Sequence, residues 1–252
     1  MAERALSSPY LPEPYRIRRR RRETADTWTL ELEPTDGGEV FAYEPGQFTM
    51  VYSFGAGEVP ISISGDPARR DRLVHTIRVA GATTRAVCEL KRGGVLGIRG
   101  PYGTAWPVGG AEGGDLVVAA GGIGLAPLRP ALYAALARRD AFERIVLLYG
   151  SRSPDQLLYA GELERLRSRG VEVHVTVDRA DEAWRGQVGV VTTLIDRADF
   201  DPDRATALVC GPEVMMRFTA AGLVGAGIGA ARVFLSLERN MKCALGQCGR
   251  CQ

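Results

Sequence analysis

The hydrophobic pattern of this 252-residue chain changes period at one place, the glycine-rich stretch Gly109-Gly-Ala-Glu-Gly-Gly114, and the change requires two architectures in one polypeptide. Before it, from about Tyr15 to Pro107, short segments alternate apolar and polar residues: Thr27 to Glu33, Gln47 to Phe54, Leu73 to Val79, Val95 to Arg99. A period of two puts every second side chain on one face, so each segment is a half-buried strand, and the Gly and Pro punctuation predicts a small antiparallel barrel. One helix, from about Thr84 to Leu90, interrupts it. After the glycines, apolar strands (Leu116 to Ala120, Ile145 to Tyr149, Val171 to Val177, Ala207 to Cys210, Val233 to Ser236) alternate with helical stretches from Pro127, from Gln156 to Arg167 and from Glu213. That alternation predicts a parallel sheet covered on both faces, with ligands bound beyond the carboxyl ends of its strands.

The bulk numbers exclude several functions. A net charge of +2 gives no footprint for nucleic acid or for a membrane surface. No apolar run is long enough to cross a bilayer, and Met1 to Tyr10 has no signal-peptide core, so the expectation is a cytoplasmic protein. The run Arg16-Ile-Arg-Arg-Arg-Arg-Arg22 leads straight into the strand at Thr27 and reads as a solvated edge strand guarded by charge; docking on nucleic acid or an acidic protein is the alternative.

Candidate ligand residues cluster at the ends of the second set of strands. In Ala119-Ala-Gly-Gly-Ile-Gly-Leu-Ala-Pro127, residues Gly121, Gly122, Ile123 and Gly124 open a helix where a pyrophosphate can approach the backbone, and Pro127 suits the first helical position. Pro127 stands where the usual dinucleotide fingerprint has its third glycine, so the pattern is only partly met. Ser151 and Arg152, Asp178 and Arg179, and Cys210-Gly211-Pro212 with Met215 follow three further strand ends. A 2′-phosphate asks for Arg and a bare ribose for a carboxylate, so Arg152 and Arg179 favour NADP(H), while Asp178 leaves NAD(H) open. Cys210 is either a core thiol or part of a nicotinamide pocket, and His75 and His174 read as packing residues within strands.

Three of the five cysteines, Cys243, Cys248 and Cys251, have the spacing C-x4-C-x2-C. That is the loop of plant-type two-iron two-sulfur (2Fe-2S) sites, with Ala244, Gly246 and Gly249 small enough for the backbone to wrap a cluster. Such a site needs a fourth thiolate further along, and the sequence stops at Gln252, so the segment is expected to be incomplete. A zinc knuckle is the alternative. Cysteines crowded at one end of an odd set suit metal ligation in a reducing compartment better than disulfides.

Taken in order, the strand-rich half, the glycine stretch, the Gly-Gly-Ile-Gly-Leu-Ala-Pro loop, Cys-Gly-Pro and the cysteine-rich end resemble the ferredoxin-NADP reductase-like flavoproteins, over essentially all the chain after an extension at residues 1–14. Ser236-Leu-Glu-Arg-Asn-Met-Lys-Cys243 with Cys248 and Cys251 is most similar to the diaphorase (gamma) subunits of cytosolic NADP-reducing nickel–iron hydrogenases, and the electron-transfer subunits of dihydroorotate dehydrogenase are similar too. The resemblance implies an FAD-binding Greek-key barrel at 15–110, an NAD(P)-binding α/β domain at 111–232 and an iron–sulfur segment at 233–252. It implies that Pro60, Ile61, Ser62 and Ile63 line the flavin ring beside Ile77, Arg78 and Val79, and that Gly81, Thr83 and Thr84 bind its diphosphate. Read without it, Thr84 could be a helix cap and Ser62 a strand hydroxyl facing water. The dihydroorotate-linked subunits usually carry Arg before the Pro; Val59 here points to the hydrogenase subunits and leaves Arg78 as the replacement cation. The implied reaction is hydride exchange between nicotinamide and flavin, then single electrons through the cluster to hydrogenase iron–sulfur and nickel–iron subunits. Neither nucleic acid nor membrane is expected as a partner.

Overall fold

A computed structural model describes residues 9–237 and 241–250. The first half forms six strands, β1 (Glu13–Arg22), β2 (Thr27–Pro34), β3 (Phe48–Ser53), β4 (Gly57–Ser62), β5 (Leu73–Arg78) and β6 (Val95–Tyr102), with helix α1 (Ala82–Glu89) between the last two. Their order is β4-β3-β6-β1-β2-β5, every pair antiparallel, and a bridge between Ile63 and His75 joins the two outer strands. The expected antiparallel barrel is therefore present, brought round on itself at that bridge. Tyr15, Ile17, Leu30, Leu32, Val51, Leu73, Ile77, Leu96 and Ile98 fill it, all at most 1% exposed.

The arginine run departs from a simple edge strand. Glu13 to Arg16 lie between β6 and β2, whereas from Arg18 onward β1 runs past β6 and keeps only its β2 partner. The charged half is thus the half with an open side. Its cations find local partners: Arg18 with Asp71 (3.5 Å), Arg19 with Glu31 (3.7 Å), Arg21 with Glu23 (2.7 Å), and Arg20 stacked 3.5 Å over Trp28.

The second half forms a fully parallel sheet of β7 (Asp115–Gly121), β8 (Ile145–Ser151), β9 (Glu172–Val177), β10 (Gln187–Val188), β11 (Ala205–Cys210) and β12 (Val233–Leu235), in the order β10-β9-β8-β7-β11-β12. Alternate residues of β7 face opposite layers. Leu116, Val118 and Ala120 pack with Leu128 and Leu132 of α2 (Leu125–Ala137) and Leu163 of α3 (Ala160–Ser168). Val117 and Ala119 pack with Leu194 and with Met216 and Leu223 of α4 (Glu213–Gly225). The two-sided cover is as the sequence predicts. The helix expected over Gln156 to Arg167 is instead a short 3-10 turn, Pro154–Gln156, followed by α3, because Tyr159 between them has φ 55°, a left-handed conformation that no right-handed helix passes through. The Gly109 to Gly114 stretch is mostly exposed but anchored: Val108–Ala111 forms a 3-10 turn whose Val108 and Ala111 join the parallel-sheet core. Among the described residues no helix is long and apolar enough to cross a membrane.

Candidate cofactor cleft

β7 lies between β8 and β11, so the chain leaves its carboxyl end where the strand order reverses, the position at which open parallel sheets bind ligands. The loops after β7 and β11 meet there in backbone contact. A Cβ on Gly124 would lie 2.3 Å from the Cys210 carbonyl oxygen, one on Gly121 3.0 Å from Met215 Cε and 3.2 Å from Pro212 Cδ, and one on Gly211 3.1 Å from Gly121 Cα. Gly122 has φ 53° with open space beside it. The fold thus brings together Gly121, Gly122, Ile123, Gly124, Cys210, Gly211, Pro212 and Met215. α2 follows a 3-10 turn, Gly122–Gly124, with no side chain capping it, and its first N–H, that of Leu125, donates back to the Gly122 carbonyl. Pro127 is a correction. It is the third residue of α2, not the first, and is buried with its carbonyl accepting from Trp106 Nε1 at 3.1 Å. Its missing N–H costs little there either, since the position is still within the first helical turn. Cys210 is 7% exposed and packs in the core, so its backbone faces the loop.

At the neighbouring strand ends, the Asp178 N–H donates to the Ser151 carbonyl (2.9 Å) and the Arg179 N–H to the Arg152 carbonyl (3.0 Å), which sets Arg152 and Arg179 side by side, both exposed. Ser151 Oγ is buried without a hydrogen-bond partner among the described residues.

On the barrel side, Pro60, Ile61 and Ser62 of β4 and Val79 are half-buried and Arg78 is exposed, but Ile63 and Ile77 are each 1% exposed and point into the core. Only their backbones can face a ligand. Ser62 is held by His75, whose Nδ1 lies 3.0 Å from the Ser62 carbonyl. A carbonyl only accepts, so Nδ1 carries the proton and Nε2 accepts from Thr49 Oγ1 at 3.0 Å. Burial pulls the His75 pKa down to about 4, so the ring is neutral. Thr84 also needs correction as a direct ligand. Its hydroxyl accepts from the Ala80 N–H (2.9 Å) and the Gly81 N–H (3.0 Å) and donates to the Gly81 carbonyl (3.1 Å), which exhausts it. Thr84 is not the N-cap of α1, which is Gly81; it is the third residue of the helix, and its hydroxyl reaches back to the N-cap N–H. Thr83 donates to the Ala56 carbonyl (2.9 Å) and keeps a lone pair.

The two halves are fastened at the cleft by residues no motif announces. Arg129 of α2 pairs with Glu162 of α3 (Nε to Oε1 2.9 Å, Nη2 to Oε2 2.6 Å), sends Nη1 to the Ser64 carbonyl of the barrel (3.0 Å) and lies 4.3 Å over the Tyr159 ring. Tyr133 donates to the same carboxylate, and Tyr159 Oη meets Thr76 Oγ1 of β5 at 2.6 Å. Ser64 follows the Pro60 to Ile63 segment by one residue and α2 follows the glycine loop, so this seam sets the two candidate ligand surfaces against each other.

Residues 118–221 match the model of the oxidoreductase NAD-binding domain. Over 237 residues the chain is 36% identical to sulfhydrogenase 2 subunit gamma of Pyrococcus furiosus, spanning 89% of this chain and 82% of that one. The chain belongs to the ferredoxin-NADP reductase-like oxidoreductases. Another relative is a probable dihydroorotate dehydrogenase B (NAD(+)) electron transfer subunit of Methanocella arvoryzae, 35% identical over 227 residues, covering 90% of this chain and 80% of that one. The fold agrees with the flavohem-like FAD/NAD binding domain of nitric oxide dioxygenase from Vibrio cholerae (TM-score 0.79, 18% identity, 89% of this chain and 98% of that one).

In this reductase-like chain the cysteine segment packs on the barrel. Ala244 (φ 60°), Gly246 (φ 74°) and Gly249 (φ 66°) turn the backbone left-handed around Cys243, whose sulfur accepts from the Leu245 N–H at 3.4 Å. That bond first, then the N–H and the side chain of Cys248, pull the Cys243 thiol down to about 6. A sulfur that is readily a thiolate and ringed by N–H groups fits a thiolate-bound metal. Cys251 lies outside the described residues, among which no group of three or more His, Cys, Asp or Glu is placed to hold a metal ion.

Proposed function

We propose that this chain is an electron-transfer subunit that holds FAD and a 2Fe-2S cluster and passes electrons between NADP(H) and a partner redox subunit, a nickel–iron hydrogenase before a dihydroorotate dehydrogenase. The observation that carries the reading is the seam of Arg129, Ser64, Tyr159 and Thr76, which fastens the Pro60 to Ser62 segment against the glycine-loop helix. A hydride donor on one side and its acceptor on the other need that fixed approach.

When bound, the flavin accepts electron pairs from nicotinamide and yields them singly, and the cluster carries one at a time. This chain's own residues bind and orient. The barrel at 15–110 holds FAD on the half-buried face of Pro60, Ile61 and Ser62, with Arg78 and the first N–H groups of α1 for the diphosphate. The half at 111–232 takes the nucleotide at Gly121 to Gly124, with Ser151 Oγ as a further donor and Arg152 and Arg179 for a 2′-phosphate. In the segment 233–252, Cys243, Cys248 and Cys251 are the cluster ligands. Val59 before Pro60 and the sulfhydrogenase gamma relatives support the hydrogenase partner; the relatives named as dihydroorotate dehydrogenase subunits support the second choice.

The test is anaerobic purification with its co-purifying subunits, followed by extraction of flavin, iron and sulfide. About two iron and two sulfide per FAD, NADPH-driven dye reduction by the isolated chain, and hydrogen-dependent NADPH formation only in the complex are expected. Zinc in place of iron would refute the cluster, and dihydroorotate oxidation by the complex would reverse the choice of partner. Arg179→Ala should weaken NADPH roughly tenfold or more and NADH little, the usual worth of a lost phosphate partner.

A further inference from the structure

We infer that Arg99 is the positioning residue that seats the cysteine segment on the barrel and so sets its sulfurs relative to the Val59 to Ser62 strand; what that spacing serves rests on the electron-transfer reading above. Arg99 is on β6, and its side chain is 7% exposed. Nε and Nη2 grip Glu58 of β4 (2.6 Å to Oε1, 2.7 Å to Oε2). Nη1 donates to the Cys243 carbonyl (2.8 Å), the Pro9 carbonyl (3.3 Å) and Tyr102 Oη (3.2 Å).

One planar cation therefore joins two barrel strands, residue 9 and the backbone of the first cysteine of the motif. Glu58 lies two residues before Pro60, so the pair fastens the cysteine segment to the strand proposed to line the flavin. Tyr10 Oη to Gln247 Oε1 is a second tether, and Tyr102 donates to the Pro9 carbonyl at 3.0 Å. The fork matters. Glu58 already occupies the Nε and Nη2 donors, and only a guanidinium has a further N–H in the same plane to reach Cys243; an ammonium is a point charge that cannot hold both with the same geometry. Transfer of an electron between two bound groups slows steeply with their separation, so a rigid seat for the sulfurs bears directly on rate.

Two variants of the full chain test this, Arg99→Lys, which keeps a cation for Glu58, and Arg99→Met with Glu58→Met, which leaves no orphaned charge. Amide hydrogen exchange across 241–250 in iron-free protein is the first readout. Exchange there should speed up roughly tenfold or more in both variants, the fold-change expected for loss of one charge-assisted hydrogen bond, with the barrel amides unchanged. The second readout uses protein reconstituted with ferric iron and sulfide, so that the iron begins oxidised. Bleaching of the flavin by NADPH should keep its rate, while passage of electrons to the iron, followed by paramagnetic resonance after rapid freezing, should slow. Unchanged exchange in the variants overturns the inference, and so does faster exchange with electrons reaching the iron at the wild-type rate. If the double variant does not fold, Arg99→Lys decides. A wild-type chain that takes up no iron refutes the electron-transfer reading instead, and the exchange comparison still decides whether Arg99 seats the segment.

Discussion

Glu162→Gln should loosen the seam between barrel and parallel sheet while leaving both cores intact. The Glu162 side chain is 8% exposed and that of Arg129 13%, so the substitution leaves a buried guanidinium without its counter-charge. Breaking such a pair from one side typically costs about 3–5 kcal/mol. Gln keeps one acceptor oxygen and Arg129 keeps the Ser64 carbonyl, which places the expected loss at the lower end, about 3 kcal/mol. At roughly 2 °C per kcal/mol for a chain of this size, the midpoint of thermal unfolding should fall by about 6 °C. The pH dependence gives an independent check. Burial alone would raise the Glu162 pKa, but hydrogen bonding to Arg129 and its charge override this and hold it below 4.5. An acid with a depressed folded-state pKa contributes its stability above the unfolded value and loses it as pH falls through the folded one. The wild type should therefore lose stability below about 4.5 by a component that the Gln variant lacks. Thermal unfolding by calorimetry at neutral pH and in an acid series measures both. Replacing the pair together, Arg129→Met with Glu162→Met, should cost less than Glu162→Gln alone, because no charge is then stranded. A midpoint for Glu162→Gln within about 1 °C of wild type, or a double variant worse than the single one, would refute the reasoning.

Two glycines in one loop should behave differently. Gly124→Ala puts a methyl 2.3 Å from the Cys210 carbonyl oxygen and should cost about 3 kcal/mol or more together with nucleotide binding, whereas Gly122→Ala meets only its φ of 53° and should cost about 1–2 kcal/mol. Urea midpoints and nucleotide titration compare them, and equal losses would mean that the two loops do not touch. His75 makes stability depend on mild acid: burial lowers its pKa from 6.5 to about 4, so the unfolded chain takes up the proton first. Stability should fall as pH drops from 6.5 towards 4, by about 3 kcal/mol in all, and His75→Asn should flatten that slope whatever its own cost; an unchanged slope would show that another group is responsible. Thr84→Val should cost about 1 kcal/mol through the lost start of α1 and Thr84→Ser should recover it, both read from urea midpoints. A Val variant as stable as wild type would remove the capping role.

What could be read along the chain is what depends on near neighbours in sequence. Strand and helix periodicity at Leu73 to Val79 or Leu116 to Ala120, the glycines that open α2, and the cysteine spacing each act over a few residues, so local pattern carries them. Pro127 and Tyr159 mark the limit of that reading. A proline is tolerated anywhere in the first helical turn, and nothing local to Tyr159 says that its ring will be drawn to Thr76 and its backbone turned left-handed.

The order of residues alone carries the division into a strand-rich half and an alternating strand–helix half, with the glycine loop that opens α2. Tertiary structure alone decided the strand order, the closure of the barrel at Ile63 and His75, and which of the chain's many arginines matter. Arg16 to Arg22 are the conspicuous ones and are solvated or paired at the surface, while Arg99 and Arg129, unremarked in their segments, have largely buried side chains that join segments far apart in the chain. The physical reason is that a buried cation is defined by partners brought in from far along the chain, 144 residues away for Arg99 with Cys243 and 65 for Arg129 with Ser64, and no local pattern encodes a partner at that distance.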